Sequence, residues 1–220
     1  MPAANALQRA RTKPYGETFR CPGGALCLDF CNSGQGAHNH AGIEWLADCG
    51  DLLVWLEAAG ALGAAQAKRF DEAARAAPAK AAALLARAIE LRETLREVFE
   101  AGVRGEAPPR EALARLESQH ARGAAFARLA WRHGRGLWEL DPSASDLDAL
   151  LQPIVQSAFE LLTSEAFARV RRCGNPTCYW LFIDATRNRS RRWCEMASCG
   201  NVLKVRRHRE RARAAGARGG

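Results

Sequence analysis

The sequence predicts an α+β fold in two parts: a helix-rich N-terminal domain with a small β-sheet over residues 1–165, and a small four-cysteine module over 166–220. Three observations predict it. Leu84, Ala88, Leu91, Leu95, Val98 and Gly102 recur at three- and four-residue spacing, the mark of a long amphipathic helix. Two β-prone runs, 127–132 and 137–140, flank His133-Gly134-Arg135-Gly136, a hairpin signature. Cys173, Cys178, Cys194 and Cys199 then form a symmetric Cys-x4-Cys-x15-Cys-x4-Cys pattern. The 220 residues are 48% hydrophobic and 25% charged, a globular balance that argues against wholesale disorder. No run of 18 apolar residues is present to cross a membrane.

The elements follow in order. Residues 1–18 read as a loose arm. Leu26-Cys27-Leu28-Asp29-Phe30 alternates and predicts a short strand. Asn32 to Gly36, then His38-Asn39-His40, read as a loop. Asp51 is placed to cap a helix running to Ala59 and stopped by Gly60. An Ala-rich helix is predicted over 64–76, ending before Pro78, then the long helix over 79–103 and another from Pro108-Pro109 to Arg122. Ser145-x-x-Asp148 resembles a capping box for a helix over 146–170, with Pro153 starting its regular part or kinking it. Trp45, Trp55, Trp131 and Trp138 are expected in the core.

Charge is unevenly placed. Alanine fills 44 positions and Arg outnumbers Lys 28 to 4, a coding-background bias that makes arginine content alone a weak signal. Position is the better one. Residues 165–220 carry 14 Lys+Arg against 4 Asp+Glu, whereas residues 1–164 carry 18 against 20. A basic module on a slightly acidic body is the footprint of a polyanion partner; the alternative is a solvated basic tail.

The cysteines decide what the module is. Two local turns that each supply two thiolates build a tetrahedral zinc site at low chain cost, and Gly174-Asn175-Pro176 and Gly200-Asn201 are turn-formers suited to it. About 50 arginine-rich residues bury too little apolar surface to fold unaided, so a metal supplies the missing stability. Two disulfides or unpaired thiols are the alternatives. The N-terminus has no apolar export signal, so a reducing cytoplasmic setting is expected and disulfides are disfavoured. One structural Zn2+ is expected, because four thiolates leave no open position for water or substrate.

The run from Cys173 through Asp184, then Thr186 through Asn201, resembles the CGNR zinc-finger family. Gly23-Gly24, Leu26 to Phe30, Asn32 and the stretch Leu52–Gly60 resemble the ABATE domain that commonly precedes it. The resemblance implies a bacterial, stress-linked transcription regulator with a DNA-binding finger. A treble-clef-like finger, with a knuckle, a short hairpin and a helix, is expected. One departure is plain: the final Arg of the family motif is Val202 here, after Cys199-Gly200-Asn201. The four zinc ligands are unaffected; if that Arg contacts DNA in relatives, this chain lacks the contact, with Lys204 or Arg206 placed to compensate.

Arg187, Arg189, Arg191 and Arg192 precede Cys194; Lys204, Arg206, Arg207, His208, Arg209, Arg211 and Arg213 follow Cys199. At 100° per residue the second cluster makes two basic stripes with only Leu203, Val205 and Ala212 between them, a helix with little to bury. The planar arginine fork suits phosphate and guanine, so duplex DNA is the expected partner. RNA is an alternative if Tyr179, Trp180 and Phe182 stack bases rather than pack the module core. Docking of an acidic protein is another. A homodimer is the form suited to a two-fold operator. In the body, Asp29 and Asn32 are candidates to line a pocket for a small-molecule effector, or else to cap local backbone. Cys27, Cys31, His38 and His40 match no specific metal template. No nucleophile–base pairing or phosphate loop stands out, and Gly34-x-Gly36 is too short for a dinucleotide signature, so an enzyme is not expected.

Overall fold

Cys27, Leu28, Phe30 and Cys31 are all fully buried, and that decides the first element. The computed structural model describes residues 21–34, 44 and 46–206, and in it Leu26–Asn32 is a helix, α1, instead of the expected strand. Alternation misleads here because the segment is buried all round and so shows no amphipathic period. A short helix satisfies part of its backbone internally, and Ser157 and Arg96 take up Cys27 N and Cys31 O at its ends, whereas a strand in that position needs a sheet partner. Gly23 and Gly24 set its start. A side chain on Gly23 would press on Asp29 Oδ1 at 2.8 Å, and Gly24 has φ +81°, which favours glycine.

Helix α2 (Cys49–Ala58) is capped one turn earlier than expected: Asp48 accepts from Asp51 N at 3.0 Å, and Asp51 accepts in return from Asp48 N at 3.3 Å. Asp51 is thus the third residue of a capping box. Gly60, at φ +73°, ends the turn that follows. Helix α3 (Ala64–Ala76) leads to α4 (Pro78–Val103), which buries Leu84, Ala88, Leu91, Leu95, Val98 and Phe99 at the centre of the core. Arg92 is buried with them and is held in a bidentate pair by Glu44 (Nη1 to Oε1, 2.9 Å; Nη2 to Oε2, 2.5 Å).

Helix α5 (Arg110–Gly123) precedes the predicted hairpin, β1 (Ala127–Arg132) against β2 (Arg135–Leu140), with Leu129 opposite Trp138. His133 and Gly134 both have positive φ, the two-residue turn that matches strand twist. Two tryptophans do not pack as expected: Trp131 is 76% and Trp138 51% exposed, because the two-stranded ribbon turns its Leu129–Trp131–Trp138 face outward. Trp55 is in the core, and Trp45 lies outside the described residues.

The helix expected over 146–170 is broken. A 3-10 turn (Leu147–Leu151), capped by Asp146 and not Ser145, gives way to α6 (Gln152–Leu162) at Pro153, whose missing N–H is harmless in a first turn. A second 3-10 turn (Glu165–Arg169) leads to β3 (Val170–Arg172), which pairs antiparallel with β4 (Leu181–Ile183). Val170 and Leu181 belong to the same apolar core as α1, α4 and α6, and Phe167 lies 6.2 Å from Phe99. The four-cysteine module is therefore seated on the helical body through its first strands. Among the described residues no helix is long and apolar enough to cross a membrane.

Candidate metal centre

Strand β3 delivers Cys173, and the ladder continues one step beyond it, with Cys173 N donating to Trp180 O at 2.9 Å. Between them the chain makes a tight turn. Asn175 Oδ1 accepts from Thr177 N (3.2 Å) and Thr177 Oγ1 (3.1 Å), and Cys178 N donates to Asn175 O (2.9 Å). Cys194 and Cys199 come from a second turn, a π-helical one over Met196–Gly200, which runs into helix over 201–206. The turns are tied together by Gly174 N donating to Arg192 O at 2.8 Å.

All four sulfurs are buried and lie within 4.8 Å of one another. Cys178 and Cys194 Sγ are 3.8 Å apart, and Cys194 and Cys199 Sγ 3.7 Å. A zinc–sulfur bond of about 2.3 Å gives a tetrahedral edge of about 3.8 Å, so the cluster has the size of one tetrathiolate zinc. Packed this closely, the thiols share protons unevenly. Hydrogen bonds from Cys178 and Cys194 hold Cys173 far below an ordinary thiol, while the bond to Cys173 pushes Cys178 up to about 12. A dication relieves that conflict by taking all four as thiolates. Their donors are in place: Cys194 N points at Cys173 Sγ (3.4 Å) and Asn175 Nδ2 at Cys199 Sγ (3.3 Å). Among the described residues this is the one such group of metal-ligating side chains. Cys27 and Cys31 are sealed in the core, where burial pushes Cys27 up to about 12; His38 and His40 lie outside the described residues.

The glycine after a cysteine in each turn serves a purpose invisible in spacing. A side chain on Gly174 would meet the Trp193 ring at 2.9 Å and Arg192 O at 3.1 Å. One on Gly200 would strike Met196 and approach Trp193 at 3.0 Å. The indole therefore packs against both turns at their glycines. Asp184 organises the connection: fully buried, it accepts from Thr186 N (3.0 Å), Thr186 Oγ1 (2.5 Å) and Arg191 N (3.0 Å). The Thr186 hydroxyl first, and then the two amides, hold its carboxyl below the usual range.

The basic residues divide into two kinds. Arg187, Arg189, Arg192, Lys204 and Arg206 are exposed. Arg187, Arg189 and Lys204 have no carboxylate partner among the described residues, and Arg192 stacks over Trp193. Arg191 corrects the expectation of an outward contact. Its guanidinium lies 4.4 Å over the Phe182 ring and donates to the carbonyls of Trp193 (3.1 Å), Ile183 (3.3 Å), Pro22 (3.0 Å) and Cys194. It braces the module internally. Arg207, Arg209, Arg211 and Arg213 lie outside the described residues. Trp180 and Phe182 are buried in the module core, leaving Tyr179 exposed beneath Arg172. Val202 is exposed at the start of the 201–206 helix.

Asp29 and Asn32 are engaged with backbone. Asp29 Oδ1 accepts from Gly23 N at 2.7 Å. Asn32 makes a two-way pair with β4, donating to Leu181 O (2.9 Å) and accepting from Leu181 N (2.8 Å). Its amide thus acts as an extra residue of the sheet edge and clamps α1 to the metal module. Both side chains are thus engaged with backbone, Asp29 locally and Asn32 across 149 residues of chain.

The sequence matches two family models in this order: ABATE, described as "Putative stress-induced transcription regulator", over residues 24–165, and the CGNR zinc finger over residues 169–212. No curated protein matches it.

Proposed function

Because the chain belongs to the ABATE family and ends in a CGNR zinc finger, we propose that it is a cytoplasmic transcription regulator that binds duplex DNA through the finger, with the helical body as its sensing or assembly part. The observation that carries this reading is a set of exposed cations in the segments that flank Cys194 and Cys199: Arg187, Arg189, Arg192 and Lys204, of which Arg187, Arg189 and Lys204 have no carboxylate partner among the described residues. Arg206 and the basic residues beyond it continue that charge along the chain.

The four thiolates supply no chemistry. They fix the two turns, and the turns aim the cations. Zinc, when bound, supplies fold and charge neutralisation. In this reading most contacts go to phosphate, which positions the protein, and few go to base edges. The reading includes no catalytic step.

The test is duplex binding across a salt series, with zinc-loaded and zinc-stripped full-length protein. If about five phosphates are neutralised, log K falls with log salt at a slope of about −4 to −5, and stripping zinc abolishes the binding. A flat salt response, or affinity unchanged without zinc, would overturn the reading. Preferential competition by RNA at matched salt would redirect it to RNA.

A further inference from the structure

A cavity of about 590 Å³ opens on the helical body between the α2–α3 turn, the hairpin and α6. That is the size of a small-molecule site. Leu26, Leu62 and Pro153 give it apolar walls, and Trp138 lines its open rim. Its charged lining is Arg132, Glu139 and Glu160. Arg132 is forked onto Glu139 (Nε to Oε1, 2.8 Å; Nη2 to Oε2, 3.1 Å), so those two charges cancel locally. Glu160 is different. Among the described residues, its carboxylate has one partner, the Gln156 amide at 3.1 Å, and no cation. In a chain of net charge +8 the lining thus carries one exposed carboxylate without a cation partner among the described residues, and the half-exposed Trp138 shares that lining.

An aromatic face and a carboxylate together select one chemistry. A cation attached to an apolar body is attracted by the ring quadrupole and by the carboxylate, and its body covers the leucines and prolines. An anion gains nothing from either. We propose that this cavity binds a small organic cation, a quaternary or primary ammonium carried on an aromatic or aliphatic group.

The inference deepens the sensing half of the proposed function and rests on it for its consequence, because the cavity and the zinc module share α1. Leu26 lines the wall, and Ser157, also in the wall, accepts from Cys27 N at 3.2 Å. At the other end of the same helix Asn32 holds Leu181. A ligand that shifts α1 therefore pulls on β4.

The experiment is calorimetric titration of the full-length, zinc-loaded protein with benzyltrimethylammonium and, separately, with benzenesulfonate. The expected result is one saturable site for the cation and none for the sulfonate. Glu160→Gln keeps an acceptor for Gln156 and, since Glu160 is exposed, is expected to weaken the cation by about two- to fivefold. Trp138→Ala, at an exposed strand position, is expected to weaken it by about fivefold. No saturable cation binding, equal binding of the sulfonate, or an unchanged Glu160→Gln affinity would overturn the proposal. Duplex binding is measured on the same samples. Lost cation binding with intact DNA binding sinks the cavity alone; intact cation binding without DNA binding sinks the regulator reading alone.

Discussion

Asn175 donates to a sulfur 24 residues away, and that single hydrogen bond separates a turn residue from a tuner of the metal. Its side-chain oxygen shapes the first turn while its nitrogen takes charge from Cys199. Asn175→Asp keeps the first role and reverses the second, placing an anion against a thiolate. Zinc affinity is expected to fall by about 10–100-fold, read by chelator competition. Asp29 carries a second test at this scale. Burial pushes its carboxyl up to about 7, well above its unfolded value, against the opposing Gly23 hydrogen bond and the Arg191 charge. The folded state thus binds the extra proton, so this group's contribution is fully present below about pH 4 and is lost as pH rises through about 7. Asp29→Asn cannot ionise. Its stability relative to the parent is expected to rise between pH 5 and pH 8, measured by denaturant unfolding at both; a constant difference would refute the assignment. The four cysteines were legible because their spacing is local. Asn175 and Arg191 were not, since their roles depend on partners 24 and up to 169 residues away.

Among the elements, those with one wet face were legible. The period of α4 and the alternation and turn of the β1–β2 hairpin state their burial directly. Helix α1 is not legible because every residue of it after Leu26 is buried, and the 146–170 segment is not because its 3-10 turns, on either side of α6, leave no long period. The outward tryptophans mark the converse error: large apolar residues were assigned to a core that a two-stranded ribbon does not complete. The joint between α1 and β4 depends on an amide that mimics backbone. Asn32→Ala leaves Leu181 N and O buried without partners, and a loss of about 2–4 kcal/mol is expected from two unmet groups. Asn32→Asp retains only the acceptor and should fall between. Equal stabilities by denaturant titration would show that the joint is not stabilising.

At the scale of the molecule, the two family segments share one core, and this limits how independent the finger can be. Phe167 packs near Phe99 and under Gly102, where a side chain would strike its ring; Val170 and Leu181, both buried, sit on strands packed against α4 and α1; and Arg191 reaches back to Pro22. The module's own core is a few cysteines, Trp180, Phe182 and Trp193. Zinc holds the two turns, but the body holds the strands that present them. A fragment of residues 166–220 is therefore expected to take up one metal through the same four thiolates, with the tetrahedral cobalt spectrum of the full chain. Its affinity should be at least about tenfold lower, because metal binding must then also order β3 and β4 without their cover. In the full chain, chelation should remove the finger while the helical circular dichroism of α2 to α6 persists, since none of those helices depends on the sulfurs. Cobalt titration of the two chains decides the matter. Equal affinities would make the finger an autonomous module carried by the body; the expected gap would mean that the body sets how firmly the two cysteine turns are held, which is the coupling that the proposed sensing role requires.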